Sequence, residues 1–311
     1  AGYNAMPLVD ARRREVVSAY LGVPRTWDLS GAFAFGYSPT SRASGPSRGA
    51  LEAIAFSEQW GNPWVRAAYR QDYREIKVPE SNIFDSIKRL RQVRSFRPGA
   101  IEDWKIEKIL DSAIWGPTPE NFKQWRYIVV KDQASKEFLH KLTEERKYTP
   151  FYFSDTEWQH ARTWYMDKEK RLARVDRVLK EGPSPWLRQA DTLIIVATPP
   201  RAWVDSAYLP NVVALRNPIS FIATGCCVQN MMLGATALGL GVNYDPTPVH
   251  DARNEETIRE YFGIPSSWTP MGILCLGEPG ERLERAPAPP VEALVFDDYW
   301  GNNHRGPNYS I

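Results

Sequence analysis

Two stretches of this chain carry side chains with a specific chemical use. Arg91-Gln92-Val93-Arg94-Ser95-Phe96 sets two guanidinium groups three residues apart, neighbours on one face if that turn is helical. Their planar donor forks match phosphate oxygens, so the pair suits a phosphate ester. Gly116-Pro117-Thr118-Pro119-Glu120-Asn121-Phe122-Lys123-Gln124-Trp125 is a proline-punctuated loop that delivers a Thr, an Asn and a Gln ahead of an apolar strand. Hydroxyl and amide groups at close range suit a heterocycle edged with carbonyls and amides. The bland alternative is a solvated basic turn followed by a surface loop, and short motifs alone do not separate the two.

Other chemistries find less support. Three cysteines (Cys226, Cys227 and Cys275) lack metal-ligand spacing and read as buried free thiols of a reducing cytoplasm. The four histidines, His140, His160, His250 and His304, are far apart, so no metal centre is expected. Neither a nucleophile elbow nor a pair of catalytic carboxylates is recognisable, and catalytic residues stay unassigned. Gly239-Leu240-Gly241 is no phosphate loop by itself, because no GxGxxG and no following Lys-Ser/Thr occur. With Lys+Arg 39 against Asp+Glu 37, the net charge of +2 argues against a nucleic-acid surface. The longest apolar stretch, Phe221 to Leu238, carries Gln229 and Asn230 at its middle and reads as a core helix rather than a membrane span.

Positioning elements follow from periodicity. Ile106, Ile109, Leu110, Ala113 and Ile114 fall on one helical face, predicting a helix over 101–115 that Gly116-Pro117 ends. Residues 125–130 and 193–198 are aromatic and β-branched and predict strands. Between them, the charged segment 156–180 reads as a solvated helical excursion or as a lid. Gly239 and Gly241 suit a helix stop. Residues 42–49 read as a flexible loop by composition.

The first 70 residues look like a copy of later ones. Tyr20-Leu21-Gly22-Val23-Pro24 parallels Tyr261-Phe262-Gly263-Ile264-Pro265, and Gly31 to Gly36 parallels Gly272 to Gly277, both at a separation of 241 positions. Asp10-Ala11-Arg12 and Tyr3 match Asp251-Ala252-Arg253 and Tyr244 in the same register. After a one-residue gap, Trp60-Gly61-Asn62 matches Trp300-Gly301-Asn302. Such a register is an internal repeat. The expected organisation is a partial repeat over 1–70, a linker over 71–82 and a complete domain over 83–311. A strand at Ala32 to Phe35 would need partners from elsewhere. The front of the first copy would come from a second chain or from sequence upstream of Ala1, or the copy is a truncated one that lends its tail to the complete domain.

The ordered set of motifs resembles the nitroreductase family of flavoproteins. The arginine segment and the Pro117-Thr118-x-x-Asn121 loop are similar to its opening motifs, with Gln92 for the usual Ser and Lys123-Gln124 for the usual Gln-Pro. Gln229 to Leu233 with Ala237 to Gly241 resembles its central helix and exit, and Gly272 to Pro279 its last core strand. This resemblance implies an α+β fold, a mixed-sheet sandwich with surrounding helices, dimeric or pseudo-dimeric, with FMN at the interface. Arg91, Gln92 and Arg94 would hold the phosphate and ribityl side, while Pro117, Thr118 and Asn121 approach the flavin ring. Tyr244 and Asp245 would lie near the reactive edge, with Arg282 and Arg285, or Arg48 in the partial copy, as further phosphate contacts. It also implies hydride transfer from NAD(P)H to a small electrophilic substrate (a nitro, quinone, halo-aromatic or enone compound) in a cytoplasmic homo-oligomer. The rival reading is a non-catalytic flavin-fold subunit that completes or regulates a partner.

Overall fold

In the computed structural model, the described residues are 2–6, 11–27, 29, 32–36, 51–64, 82–118, 123, 125–144, 168–199, 210–249, 252–281 and 294–302. In chain order the elements are β1 (Gly2–Met6), α1 (Ala11–Leu21), β2 (Ala32–Gly36), β3 (Ala55–Ser57), α2 (Ile83–Arg89), β4 (Phe96–Arg97), α3 (Asp103–Ile114) and β5 (Arg126–Val130). There follow α4 (Gln133–Glu144), α5 (Lys168–Glu181), α6 (Trp186–Gln189), β6 (Thr192–Thr198), α7 (Pro210–Ala237), β7 (Gly241–Asp245), α8 (Ala252–Phe262) and β8 (Thr269–Pro279). Two compact units result, one from 1–47, 201–219 and 284–311, the other from 48–200 and 220–283.

The second unit is built on a six-stranded mixed sheet. Its strand order is β3-β5-β6-β8-β4, with β7 also on β8. β3 runs parallel to β5, and the β5/β6, β6/β8, β7/β8 and β4/β8 pairs are antiparallel. The central residues of β5, β6 and β8 are apolar on both faces because both sheet faces are covered. Tyr127, Val129, Ile194, Val196, Leu274 and Leu276 face one core with Ile106, Ile109 and Leu110 of α3 and Met231 and Ala235 of α7. Their alternates, Ile128, Val130, Leu193, Ile195, Ile273 and Cys275, face a second core with Leu139 of α4, Leu187 of α6 and Ile258 and Phe262 of α8. Period-2 alternation thus divides one apolar run between two cores. Each fully buried Ile or Leu contributes about 1.5–3 kcal/mol.

Helix ends are set locally. Asn82 Oδ1 accepts from the Phe84 amide at 2.9 Å and starts α2. Asp132 Oδ2 accepts from the Ser135 amide at 2.8 Å and starts α4. α3 occupies the face its periodicity predicts. α7 is longer than the predicted 221–238, beginning at Pro210. Pro218, inside the helix, reads as a boundary and hides that start in the sequence, although proline at the very first position is compatible with a helix. Helix α5 covers part of the predicted charged excursion, and 156–167 lies outside the described residues. The units also differ from the sequence blocks: residues 51–64 belong to the second unit, since β3 pairs with β5 there. Of the three free cysteines, Cys227 and Cys275 are buried as expected, but Cys226 is only half-buried. No helix among the described residues is long and apolar enough to cross a membrane.

In the first unit β1 and β2 pair antiparallel, Tyr3 opposite Phe35. α1 ends on Gly22 at φ 70°, with the Val23 amide donating to Ser18 O at 2.8 Å. That is the left-handed glycine stop. The segment 294–302 packs there through Trp300, whose ring lies 5.1 Å from that of Trp27.

Two glycines of the second unit give opposite expectations. A Cβ on Gly116 would meet Cys227 Sγ at 2.3 Å and its Cα at 3.3 Å, whereas one on Gly225, exposed on α7, would meet nothing within 4 Å. Gly116→Ala should cost about 1–3 kcal/mol and Gly225→Ala should gain up to about 1 kcal/mol, read as shifts of the denaturant midpoint. His140 gives a pH test. Burial, then the nearby Arg188 charge, lowers its pKa below 6.5 despite the Ser184 carbonyl at 3.1 Å. The unfolded chain therefore binds a proton that the folded chain refuses. Stability is steady above about pH 6.5 and falls on acidification below it, by at most about 1.4 kcal/mol per pH unit. The stability difference between the native protein and His140→Gln should shrink over that range, and a pH-independent difference would contradict the assignment.

Candidate functional site

The arginine segment is extended, not helical. α2 stops at Arg89, and residues 91–97 run along the sheet. Gln92 forms a parallel bridge with Val242, the Val93 amide donates to Val242 O at 2.8 Å, and Phe96 and Arg97 pair with Pro279 and Glu278. The expectation of a helical neighbour pair is thereby corrected. In extended chain, residues three apart project to opposite faces, so Arg91 and Arg94 work separately. Val93 and Phe96 supply the buried anchors that pull the segment in.

The close fit depends on glycine. The Gly280 amide donates to Ser95 O at 2.8 Å, and a Cβ there would sit 2.7 Å from Ser95 Oγ. One on Gly277 would sit 2.7 Å from the Phe96 ring. Only side-chain-free backbone lets β8 approach this segment so closely.

The two arginines differ in environment. Arg91 is half-buried, with one terminal nitrogen donating to Leu90 O at 2.5 Å and a buried Nε that has no hydrogen-bond partner among the described residues. A buried donor without an acceptor costs about 1–3 kcal/mol, which an incoming anionic oxygen would recover. Arg94 is exposed, and its backbone amide donates to Glu281 Oε1 at 2.7 Å, placing a carboxylate beside it. Arg91 is therefore the better-prepared anion ligand. Gln92 Oε1 accepts from the Tyr244 amide at 3.0 Å, leaving its NH2 group, on an exposed residue, as a donor.

Tyr244 and Asp245 lie at the end of β7, next to this segment. Tyr244 donates its hydroxyl to Met271 O at 2.9 Å, and its ring occupies the space a Cβ on Gly272 would need, 2.6 Å away. Burial, reinforced by the Asp245 charge, pushes its phenol up to about 12, so it stays protonated. Asp245 is 3% exposed and spends both oxygens on structure. Trp186 Nε1 donates to Oδ2 at 2.8 Å and the Thr247 amide to Oδ1 at 2.8 Å. Pro117, exposed, and Thr118, half-buried, follow α3 where Gly116 contacts Cys227 of α7. Asn121, Arg48, Arg282 and Arg285 lie outside the described residues.

Sequence reading missed three contributors. Asn243, buried within β7, donates to Val93 O at 2.8 Å and fixes the height of the arginine segment. Ser95 and Glu281 complete the junction with β8. A polar residue inside an otherwise apolar strand was the available signal for Asn243; the others carry none.

The match to known proteins covers the same elements. The family model described as "Nitroreductase family" matches residues 87–278, from the arginine segment through β8. A relative from Methanothermobacter thermautotrophicus, provisionally named NADH dehydrogenase/NAD(P)H nitroreductase, is 24% identical over 66% of this chain and 82% of its own. An NADH dehydrogenase of Thermus thermophilus is 24% identical over 71% of this chain and 98% of its own. The crystal structure of a BluB-like flavoprotein from Clostridium difficile is similar in fold, with a TM-score of 0.52 at 20% identity over 70% of this chain and 99% of that one. A family model spanning more than half of the chain, on the sheet and arginine segment just described, places this protein in the nitroreductase family of flavoproteins.

Proposed function

We propose that this chain is an FMN-dependent oxidoreductase that takes reducing equivalents from NAD(P)H and delivers them to a small electrophilic acceptor such as a nitro, quinone, halo-aromatic or enone compound. The observation that carries the reading is Arg91. Its buried Nε, without a partner among the described residues, stands in a segment held by β7 and β8, and an anionic oxygen would complete its hydrogen bonding. The phosphate of FMN is such a group, so the residues present fit the cofactor. The names of relatives support NAD(P)H as reductant, since one is called an NADH dehydrogenase and another carries NAD(P)H in its name.

Bound FMN would supply the two-electron redox chemistry. The protein's tasks are binding and orientation. Arg91 holds the phosphate end, the Gln92 amide donates to polar groups beyond it, and Pro117 and Thr118 approach the ring. Arg94 adds a more exposed positive charge. Tyr244, neutral at working pH, sets the position of the Gln92 carbonyl through its backbone amide rather than moving a proton. Asp245 holds Trp186 and the turn at Thr247. We assign it to the support of the site rather than to a reacting group.

The purified protein should show a flavin absorption spectrum that bleaches on anaerobic addition of NADH or NADPH. Arg91→Ala together with Arg94→Ala should remove the flavin. Arg91→Ala alone should weaken FMN binding by about tenfold to a hundredfold, a loss of about 1.5–3 kcal/mol for a charged hydrogen-bonded contact, and Arg94→Ala by less. Stoichiometric flavin in the double variant would refute the phosphate assignment. A colourless native protein that does not take up added FMN would refute the oxidoreductase reading.

A further inference from the structure

We infer that Arg126 is a positioning residue for the candidate site, clamping the end of the loop that leaves Gly116 against Trp268, at the start of β8. The inference rests on the reading above, in which Pro117 and Thr118 approach the flavin ring. It deepens that reading by naming what holds the ring side, as Arg91 holds the phosphate side.

The place of Arg126 in its strand is the first observation. It opens β5, and alternation puts it on the face of Ile128 and Val130, which are buried in the second core. An apolar residue is the expected occupant of that face. The chain instead places a half-buried guanidinium there, at the margin where Trp60 and Trp268 pack against the same core.

Three contacts define the clamp. One terminal nitrogen of Arg126 donates to Lys123 O at 3.2 Å and to Trp125 O at 2.8 Å. The guanidinium carbon lies 4.9 Å from the centre of the Trp268 ring, within the range of a cation–π contact. Trp268 is itself fixed, by its amide bond to Pro265 O at 2.8 Å and by the Trp60 ring 5.0 Å away. Lys123 takes φ 52°, a left-handed conformation uncommon for a lysine. Such a conformation persists where the surroundings hold it, and a donor shared by the carbonyls of 123 and 125 does so.

Burial lowers the pKa of Arg126, and no carboxylate forms an ion pair with it among the described residues. A charge kept half out of water without a counter-ion costs stability, which its hydrogen bonds and ring contact must offset. What those contacts hold is the loop. Its other end is held differently: Gly116 packs so closely on Cys227 of α7 that a Cβ would lie 2.3 Å from the Sγ. Pro117 and Thr118 are therefore bracketed, by a glycine contact before them and by Arg126 after them. Strand β8 serves both halves of the site, since its far end pairs with the arginine segment and the residue before its first position carries the clamp.

Two flavins separate this role from phosphate recognition. The full chain, freed of flavin, is titrated with FMN and with riboflavin, which lacks the phosphate. Arg126→Met keeps the stem and removes the donors, and it should weaken both flavins by the same factor, about tenfold. Arg126→Lys can reach both carbonyls from one nitrogen and keep a cation at Trp268, so it should restore both affinities to within about threefold. Arg91→Ala should weaken FMN and leave riboflavin as in the native chain. Unchanged riboflavin affinity in Arg126→Met, or a loss confined to FMN, would overturn the assignment.

Amide hydrogen exchange in the flavin-free protein gives a second readout. Arg126→Met should speed exchange over 123–127 and leave 91–97 at the native rate. No change over 123–127, or faster exchange over both segments, would overturn the clamp. A native chain that takes up neither flavin would sink the cofactor reading and the ring role with it, while exchange would still decide the clamp.

Discussion

Strand β8 uses both of its edges, and the candidate site exists only because it does. Residues 273–276 pair with β6 and β7 at once, and the last two residues of the strand take β4. Both faces are buried as well, so neither register nor facing can change by one residue without moving apolar side chains out of a core. That rigidity is what fixes the arginine segment. It is held as an extra, irregular strand, anchored by Val93 and Phe96 and admitted by Gly277 and Gly280. A looser sheet would leave Arg91 free to turn to water, and its Nε would have no reason to be buried.

Burial then separates groups that can bind from groups already committed. Asp245, Lys136 and Asn243 are all buried, yet each has its partners. Lys136 Nζ donates to Ala190 O at 2.9 Å and Asp191 O at 3.1 Å, and these carbonyls accept its charge even as burial lowers its pKa. Polar groups satisfied in this way stiffen the unit and leave nothing for a ligand. Arg91 differs because one donor is desolvated and unmatched within a short distance of exposed Gln92 and Arg94. A charge with one hydrogen bond missing, at the margin of a rigid sheet, is where an anion gains most.

Much of this was legible in the sequence because the periodicities are clean. The α3 face and the β5 and β6 runs were read from residue spacing alone. The arginine segment was misread as a possible helical turn because Ile83 to Leu90 is a real helix, and nothing local announces that the chain straightens after Arg89. What straightens it is pairing with Val242 and Pro279, some 150 and 180 residues away. The start of α7 was missed because Pro218, inside the helix, reads as a helix boundary in the sequence. Asp245 appeared to be a candidate for the reactive edge because sequence cannot reveal that Trp186 and Thr247 occupy both of its oxygens.

The segment 51–64 also bears on the site through β5. Glu58 sits in a left-handed corner of that segment, and from there Oε1 accepts from the Lys131 amide at 2.8 Å and the Asp132 amide at 3.2 Å, while its own amide donates to Val129 O at 2.9 Å. The segment closes the end of β5 and the start of α4, where Asp132 is itself the cap. β5 is the strand into which the Pro117–Thr118 loop feeds. The Glu58 side chain thus gives residues 51–64 a task in holding the strand beside the candidate site.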